Sequence, residues 1–257
     1  FIPLCAFTIG GVYAGLASWL KNRFGIHEVI STIMLNWIAY YFMIFIVNMK
    51  SVKVPGSQHS PEILSSAKIN FFSREFRSTE EGMSFVDKYP LLKPFVQTDA
   101  GYAIILMIGV SVLLWVILKY TRLGYELRAV GYNRFAAEFA AMPVKRNAIL
   151  SMFISGGVSA TGGALLVMST SYYITMLGAS EGYGWDGIAV ALIAGNHPIG
   201  CIFAGLLYAG LKFGGLEIQS RMRAPTEIIK IMIGVLVLFI ALAPALPRLA
   251  ERLDRKE

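Results

Sequence analysis

The polar and ionisable side chains that could do chemistry in this chain are few, and they stand alone inside apolar stretches. Glu28, Asn36, Asp186 and the pair Asn196-His197 are such positions. They offer hydrogen bonding and charge pairing, because no Ser-His-Asp arrangement and no cluster of Cys or His accompanies them. Both Glu28 and Asp186 stand at predicted helix starts; capping is the favoured role for Glu28, whereas capping and a functional role are both open for Asp186. Asn36 lies deep in an apolar run, so it must contact a helix partner or a polar solute.

The sequence contains no pattern typical of a nucleotide-binding site, a metal site or a redox site. The phosphate-binding pattern GxxxxGK[ST] does not occur. Cys5 and Cys201 each lie in an apolar run without a CxxC partner, which favours a role as small buried hydrophobic residues. We therefore predict no catalytic residue, no metal site and no cofactor bound by this chain.

Composition indicates a membrane protein. Of the 257 residues, 56% are hydrophobic and 15% are charged, whereas soluble domains carry roughly 25% charge. The mean hydropathy is +0.60. The formal net charge of +7 would also suit nucleic acid. The basic residues nevertheless cluster in loops between apolar segments, which membrane topology explains, so no nucleic-acid partner is expected.

Apolar segments of membrane-spanning length determine the predicted fold. A hydrocarbon core of about 30 Å needs roughly 20 helical residues. Residues 184–213 are interrupted by Asn196-His197-Pro198, and a proline with polar neighbours would leave backbone groups unpaired in lipid. We interpret that region as two short helices joined by a tight turn. The sequence thus predicts an all-α integral membrane protein, a polytopic helical bundle of about seven spans: 2–20, 29–49, 101–118, 148–168, 184–194, 199–213 and 228–246.

Small residues indicate which spans pack most closely. The span 148–168 contains the pairs Gly156-Gly157 and Gly162-Gly163 together with several Ser and Thr residues. Helices in lipid approach each other through small residues, so we expect this span at the centre of the bundle. Gly10-Gly11 in the first span predicts a similar close contact. The Ser and Thr side chains of this span either take part in tight helix packing or line a polar route, and both interpretations remain open.

The charges of the loops predict their sides of the membrane. Residues 119–146 contain six basic and two acidic residues, so the positive-inside rule predicts a cytoplasmic loop. Residues 49–98 then form an extracellular loop, too long for a simple turn, and 247–257 form a cytoplasmic tail. In this arrangement Lys212 and the basic residues up to Lys230 lie outside, against the rule. A single helix over 184–213 would bring them inside but would move the tail outside.

Most of the chain from the second span onward follows a family pattern. The stretches are FGIHEVISTIMLNWIA (24–39), GYELRAVGYNRFAAEFAAM (124–142), GYGWDGIAVALIAGNHPIG (182–200) and GGLEIQSRMRAPTEIIKIMIGVLVLFIAL (214–242). They resemble the permease subunit of ABC importers for nucleosides or simple sugars, in the family that also includes ribose and branched-chain amino-acid permeases. Met142-Pro143 departs from the Gly-Ile or Gly-Val pair usual in related permeases. Since such permeases have about three more N-terminal helices, we expect those to be missing before Phe1, and 1–257 to form one permease domain.

The resemblance implies a division of labour among subunits. A cytoplasmic ABC ATPase would bind ATP-Mg, and a second permease, identical or different, would complete the pathway. An extracellular or periplasmic substrate-binding protein would deliver the solute. This chain would be a transport subunit of the plasma or inner membrane, not an enzyme. The helix in 119–146 would couple to the ATPase; the residues expected there are Glu126, Arg128, Ala129, Gly131, Asn133, Ala136 and Ala137.

The resemblance favours a nucleoside as the solute, with a simple sugar second. We predict that Asn36, Ser155 and Ser159 line its pathway, since an amide suits ribose hydroxyls or base edges. The alternative is an ion-coupled secondary transporter of small polar solutes. Such a protein would need buried carboxylates paired with basic groups at mid-membrane, and few acidic residues lie within the spans. A membrane enzyme would need clustered acid, base or metal groups, and only scattered candidates exist.

Overall fold

The structure, a computed structural model, describes residues 1–50, 52–70, 101–176, 182–222 and 225–242. Within these ranges the chain is α-helical, with two isolated β-bridges and no strand. The predicted all-α class is therefore confirmed. The helices are α1 (Ile2–Phe24), α2 (Glu28–Asn48), α3 (Tyr102–Tyr120), α4 (Arg122–Tyr132), α5 (Arg134–Phe139), α6 (Val144–Leu166), α7 (Tyr183–Ile193), α8 (Gly200–Met222) and α9 (Thr226–Leu242).

Five helices in the described ranges are long and apolar enough to cross a membrane. They are α1, α2, α3, α8 and the continuous helix formed by α6 and a π-helical turn, Val167–Ser171. The apolar helix α7 has 11 residues and is shorter than a membrane crossing requires. The count of seven spans consequently stays a prediction. The tail 247–257 lies outside the described residues.

Local chemistry determines where several helices begin and end. Gly25 follows α1 in the left-handed conformation, with φ 69°, and its N–H binds the Lys21 carbonyl. The predicted interruption at Asn196-His197-Pro198 is present, because α7 ends at Ile193 and α8 begins at Gly200. In that turn Gly195 and Asn196 adopt φ angles of 60° and 59°. The His197 Nδ1 accepts the Gly200 N–H at 3.3 Å, so this histidine caps α8.

The contacts divide the chain into two units, and each is described by itself. The first contains residues 1–110 and 116–180, and the second contains 111–115 and 181–257. In the first unit the most extensive helix pairing joins α1 to α6. A Cβ built on Gly10 would overlap Ala160 Cβ and come within 2.8 Å of the Gly156 carbonyl oxygen. Close contacts were expected at Gly10 and in the glycine-rich span, and the structure shows that these two spans make them with each other.

Not every glycine of α6 serves this contact. A Cβ on Gly157 would lie 2.7 Å from the Phe7 ring, whereas one on Gly163 would meet nothing within 4 Å. The N-terminal half of the glycine-rich segment is thus the part that needs small residues. Helix α1 also packs against α2, where the Tyr13 hydroxyl donates to the Leu35 carbonyl at 2.7 Å.

The first part of the predicted extracellular loop is folded back onto the end of the α6 helix. Ser60 N donates to Ile174 O at 2.9 Å, and Ile174 N donates to Ser60 Oγ at 3.0 Å. Ile63 N donates to Tyr172 O at 2.8 Å, and Ile69 N donates to Met168 O at 3.2 Å. Residues 58–69 and 168–176 therefore form one hydrogen-bonded connection. Residue 51 and residues 71–98 of the loop lie outside the described part of the chain.

Candidate functional site

The segment 121–143, where coupling was expected, consists of two short helices with side-chain caps. The Thr121 hydroxyl accepts the Gly124 N–H at 3.1 Å and so begins α4. The Asn133 carboxamide oxygen accepts the N–H groups of Phe135 and Ala136 at 3.0 and 3.1 Å and begins α5. Asn133 itself is extended, with φ −153°. The predicted single helix is thus divided at Asn133, and this residue has a structural role as a cap.

One side of this segment is held against α6. The Glu126 Oε2 accepts a hydrogen bond from the Asn147 Nδ2 at 3.0 Å. Asn147 is 3% exposed and stands in the first turn of α6. Ala137 is also 3% exposed, and both α4 and α5 pack against α6. Glu126 and Ala137 therefore contact the chain's own helices, and their direct contact with a partner stays a prediction.

The other side of the segment presents aromatic rings. Tyr132, Phe135 and Phe139 are 91%, 83% and 96% exposed. Phe135 and Phe139 are four residues apart and lie on one side of α5, and Tyr132 is the last residue of α4, before the break at Asn133. The remaining residues expected to couple lie near them: Gly131, Asn133, Ala136 and Arg128 are exposed, and Ala129 is half-buried. The sequence analysis did not predict a role for these aromatic residues, although three rings so close together in a basic loop are a detectable signal.

The residues expected to line a pathway all lie on exposed surface of the first unit. Asn36 is in α2, and Ser155 and Ser159 are in α6. Helices α2 and α6 both pack against α1 and make little contact with each other. Within the part of the chain that the structure describes, none of these three side chains makes a hydrogen bond. They are available to a solute or a second subunit, and their pathway role stays a prediction.

A charged network that the sequence did not reveal lies in the second unit. Asp186, in the first turn of α7, accepts from the Tyr208 hydroxyl at 2.7 Å and pairs with the Lys212 ammonium at 2.7 Å. Lys212 stands near the middle of the 23-residue α8. The carboxylate therefore links α7 to α8 instead of merely capping α7. It is also the kind of carboxylate–amine pair that the ion-coupled alternative would require.

Among the described residues, no group of three or more His, Cys, Asp or Glu side chains converges as a metal site would require. Glu28, expected as a cap of α2, instead pairs with Lys21 at 2.6 Å. The cap of α2 is His27, which accepts the Val29 N–H at 3.3 Å. Glu28 and Asp186 thus each pair with a lysine of another helix.

Five apolar helices of membrane-spanning length, in the described part of the chain, define the class as a multi-pass membrane protein. Comparison with known families makes this specific. Residues 2–241 match the family described as branched-chain amino acid transport system / permease component, and the chain belongs to that family. It is therefore a permease, which is a transport component and not an enzyme.

Individual relatives are similar over nearly the whole chain. The guanosine ABC transporter permease protein NupP of Bacillus subtilis is 32% identical over 99% of this chain and 69% of its own length. The nucleoside ABC transporter permease protein NupB of Lactococcus lactis is 31% identical over 93% and 63%. The glucose ABC transporter permease protein TsgB13 of Haloferax volcanii is 24% identical over 92% and 59%. The chain thus spans about two thirds of the length of these relatives. No solved structure matches.

Proposed function

We propose that this chain is the membrane-spanning permease subunit of an ATP-driven importer for nucleosides, and that Tyr132, Phe135 and Phe139 dock onto a cytoplasmic ABC ATPase. The exposure of these three rings carries the proposal. Exposed aromatic clusters mark protein interfaces, and buried aromatic anchors dominate their binding energy. Ala136 lies between the rings and is exposed, so the docking surface includes it. ATP and Mg²⁺ would bind on the ATPase.

The Glu126–Asn147 hydrogen bond provides a route from the ATPase into the membrane bundle. The docking rings and Glu126 belong to the same short segment, whose opposite side packs on α6. Helix α6 in turn contacts α1 so closely that a Cβ on Gly156 would approach the Gly10 carbonyl oxygen to 2.7 Å. A displacement of the segment by the ATPase would therefore move α6 and α1 together. ATP binding would bias two conformations of the bundle, which is a population shift.

The solute is proposed from the relatives. NupP and NupB carry the words guanosine and nucleoside in their names and share 32% and 31% identity with this chain. The glucose permease TsgB13 shares 24%. A nucleoside is thus the first solute to test and a simple sugar the second, with Asn36, Ser155 and Ser159 as the proposed pathway side chains. A second permease subunit and a substrate-binding protein complete the proposed assembly in the cell membrane.

Crosslinking tests the docking proposal directly. Ala136→Cys, in a complex assembled with the ATPase, should crosslink to that subunit, because residue 136 is exposed between Phe135 and Ala137. Replacing Phe135 and Phe139 together by Ala should lower the amount of ATPase that copurifies. Phe203→Ala together with Phe213→Ala is the matched control, since these two rings are 70% and 74% exposed in α8, outside the segment. An assembled complex that gives no crosslink at residue 136 would exclude the proposed docking surface.

The Asp186–Lys212 pair favours one second candidate, an ion-coupled secondary transporter. Carboxylates that pair with basic groups inside apolar helices serve proton and ion relays in such proteins. The two candidates differ in their energy source. Uptake of radiolabelled guanosine by vesicles containing the complex should require ATP and persist when ion gradients are abolished. Uptake driven by an ion gradient in the absence of ATP would support the second candidate.

A further inference from the structure

Three basic side chains surround one open cavity of about 370 Å³ in the first unit, where α1 meets the starts of α2, α5 and α6. Lys21 comes from α1, Arg134 from α5 and Lys145 from α6. The rest of the wall consists of Asn22, Gly25, Ile26, His27 and Glu28. Segments distant in sequence thus bring cations together at one end of the helices. The three aromatic docking residues and the three proposed pathway residues do not line this cavity.

The cavity has an excess of positive charge. Glu28 is the one carboxylate among its lining residues, and it is already paired with Lys21 at 2.6 Å. Arg134 and Lys145 have no carboxylate partner among the described residues. Two like charges without a counter-ion repel each other when they share a cavity, so an anion bound there would be stabilised by both.

The wall of the cavity is positioned by hydrogen bonds. The Asn22 Nδ2 donates to the Lys145 carbonyl oxygen at 3.0 Å, which joins the end of α1 to the start of α6. His27 Nδ1 accepts the Val29 N–H, so its Nε2 is the ring nitrogen left to donate. The cavity therefore has fixed walls and donors of three kinds: guanidinium, ammonium and imidazole.

A second cavity of about 310 Å³ adjoins the first and is more apolar. The two share Lys21, Asn22, Glu28 and Arg134. Five apolar residues line the second one: Val29, Val130, Val144, Ala148 and Met152. The first cavity is cationic and the adjoining one is more apolar. Together they suit an amphiphile, with its anionic head group in the first cavity and its apolar part in the second.

We propose that these cavities bind an anionic phospholipid, with the phosphate between Arg134 and Lys145 and the glycerol end of the acyl chains against Val29 and Val144. Basic pockets between membrane helices bind anionic head groups, and a guanidinium can bind phosphate oxygens through two N–H groups. Free phosphate offers the same anion without the acyl chains. The lipid is favoured because Ile26 and Val29, at the cavity, are 39% and 51% exposed. This proposal does not depend on the identity of the transported solute.

Native mass spectrometry of the purified, delipidated chain tests the proposal. Dioleoyl phosphatidylglycerol should be retained in preference to dioleoyl phosphatidylcholine, whose acyl chains are the same. The variant Arg134→Gln with Lys145→Gln should lower the affinity for phosphatidylglycerol roughly tenfold or more, since each basic residue near an anionic lipid contributes about a factor of five. Arg122→Gln with Arg146→Gln is the charge-matched control, because neither residue lines either of these two cavities, and it should bind as the unmodified chain does.

Several results would overturn the proposal. An equal loss of affinity for phosphatidylglycerol in both double variants would show that general surface charge attracts the lipid. Competition by inorganic phosphate at the affinity of the lipid would identify a free-anion site. Loss of ATPase association without loss of lipid binding would assign the basic residues to the protein partner. Should the double Gln variant fail to fold, the single variants Arg134→Gln and Lys145→Gln replace it, and an unchanged affinity for phosphatidylglycerol in both folded variants would contradict the phosphate site.

Discussion

Asn147, in the first turn of α6, donates a 3.0 Å hydrogen bond to the Glu126 carboxylate of α4, and Asn147 is 3% exposed. The acceptor lies in a short segment whose other side is solvent-exposed and aromatic, and the donor lies in a helix that packs along α1. The position of the carboxylate also suits the positive end of the α6 dipole. This single contact therefore joins the proposed docking surface to the membrane helices.

Breaking this hydrogen bond should uncouple ATP hydrolysis from transport. In Asn147→Leu the half-buried Glu126 carboxylate loses its partner, which should lower the free energy of unfolding by about 1 kcal/mol. Glu126→Gln keeps an acceptor oxygen and should stay close to the unmodified chain. ATPase rate and uptake, both measured per folded complex, should separate in Asn147→Leu. Uptake that stays proportional to ATP hydrolysis in this variant would remove the contact from the coupling route.

The glycine contact between α1 and α6 should tolerate no larger side chain. In Gly156→Leu the new side chain would overlap Ala14 and the backbone at Gly10. Forcing a larger group into a packed contact costs typically 1–3 kcal/mol, so the thermal unfolding temperature should fall. Gly163→Leu is the matched control in the same helix, since a Cβ there meets nothing within 4 Å. Equal destabilisation by the two variants would contradict the close approach of the helices.

Asp186 and Lys212 should depend on each other for stability. Asp186→Asn leaves the Lys212 ammonium near the middle of α8 without this carboxylate, and Lys212→Met removes the ammonium that lies 2.7 Å from Asp186. An unpaired charge in an apolar helix is costly, so each single variant should give less folded protein after detergent extraction. The double variant removes both charges and should recover part of the loss. Additive losses would show that the two residues act separately.

Asn36 should affect transport more than stability. Its side chain is exposed and makes no hydrogen bond within the described residues. Asn36→Leu keeps the approximate volume and removes hydrogen bonding, so uptake should fall while assembly with the ATPase persists. Ser155→Ala and Ser159→Ala should act in the same direction and more weakly. A variant at Asn36 that loses stability first, with normal uptake per folded complex, would make the residue a contact between helices or subunits.

Membrane-impermeant thiol labelling should place the two loops on opposite sides. Gln58→Cys is exposed in the loop that follows α2 and should react from outside in whole cells. Gly131→Cys stands in open space in α4 and should react only after the membrane is permeabilised. Asn133 is avoided because its side chain caps α5. The reverse labelling pattern would overturn the predicted orientation and the docking surface together.

The helices and the family pattern were accessible from the sequence because both are encoded locally. Apolar length predicts α1, α2 and α3, and the proline with its polar neighbours predicts the break after Ile193. Small residues at Gly10 and Gly156 indicated a close helix contact, although not which glycines face each other. The same local patterns indicated that the segment 121–143 is helical, but they did not distinguish its two sides.

Tertiary structure decided which polar groups meet. Residues 58–69 bond to residues 168–176, about a hundred positions later, and Asp186 meets Lys212 from a different helix. Such pairs depend on how whole helices pack, and no periodicity or spacing within one segment encodes them. The same holds for the segment 121–143, where packing on α6 turns Glu126 and Ala137 inward and leaves Phe135 and Phe139 exposed. Local sequence sets the helices, while the contacts between helices determine which side chains remain available for partners.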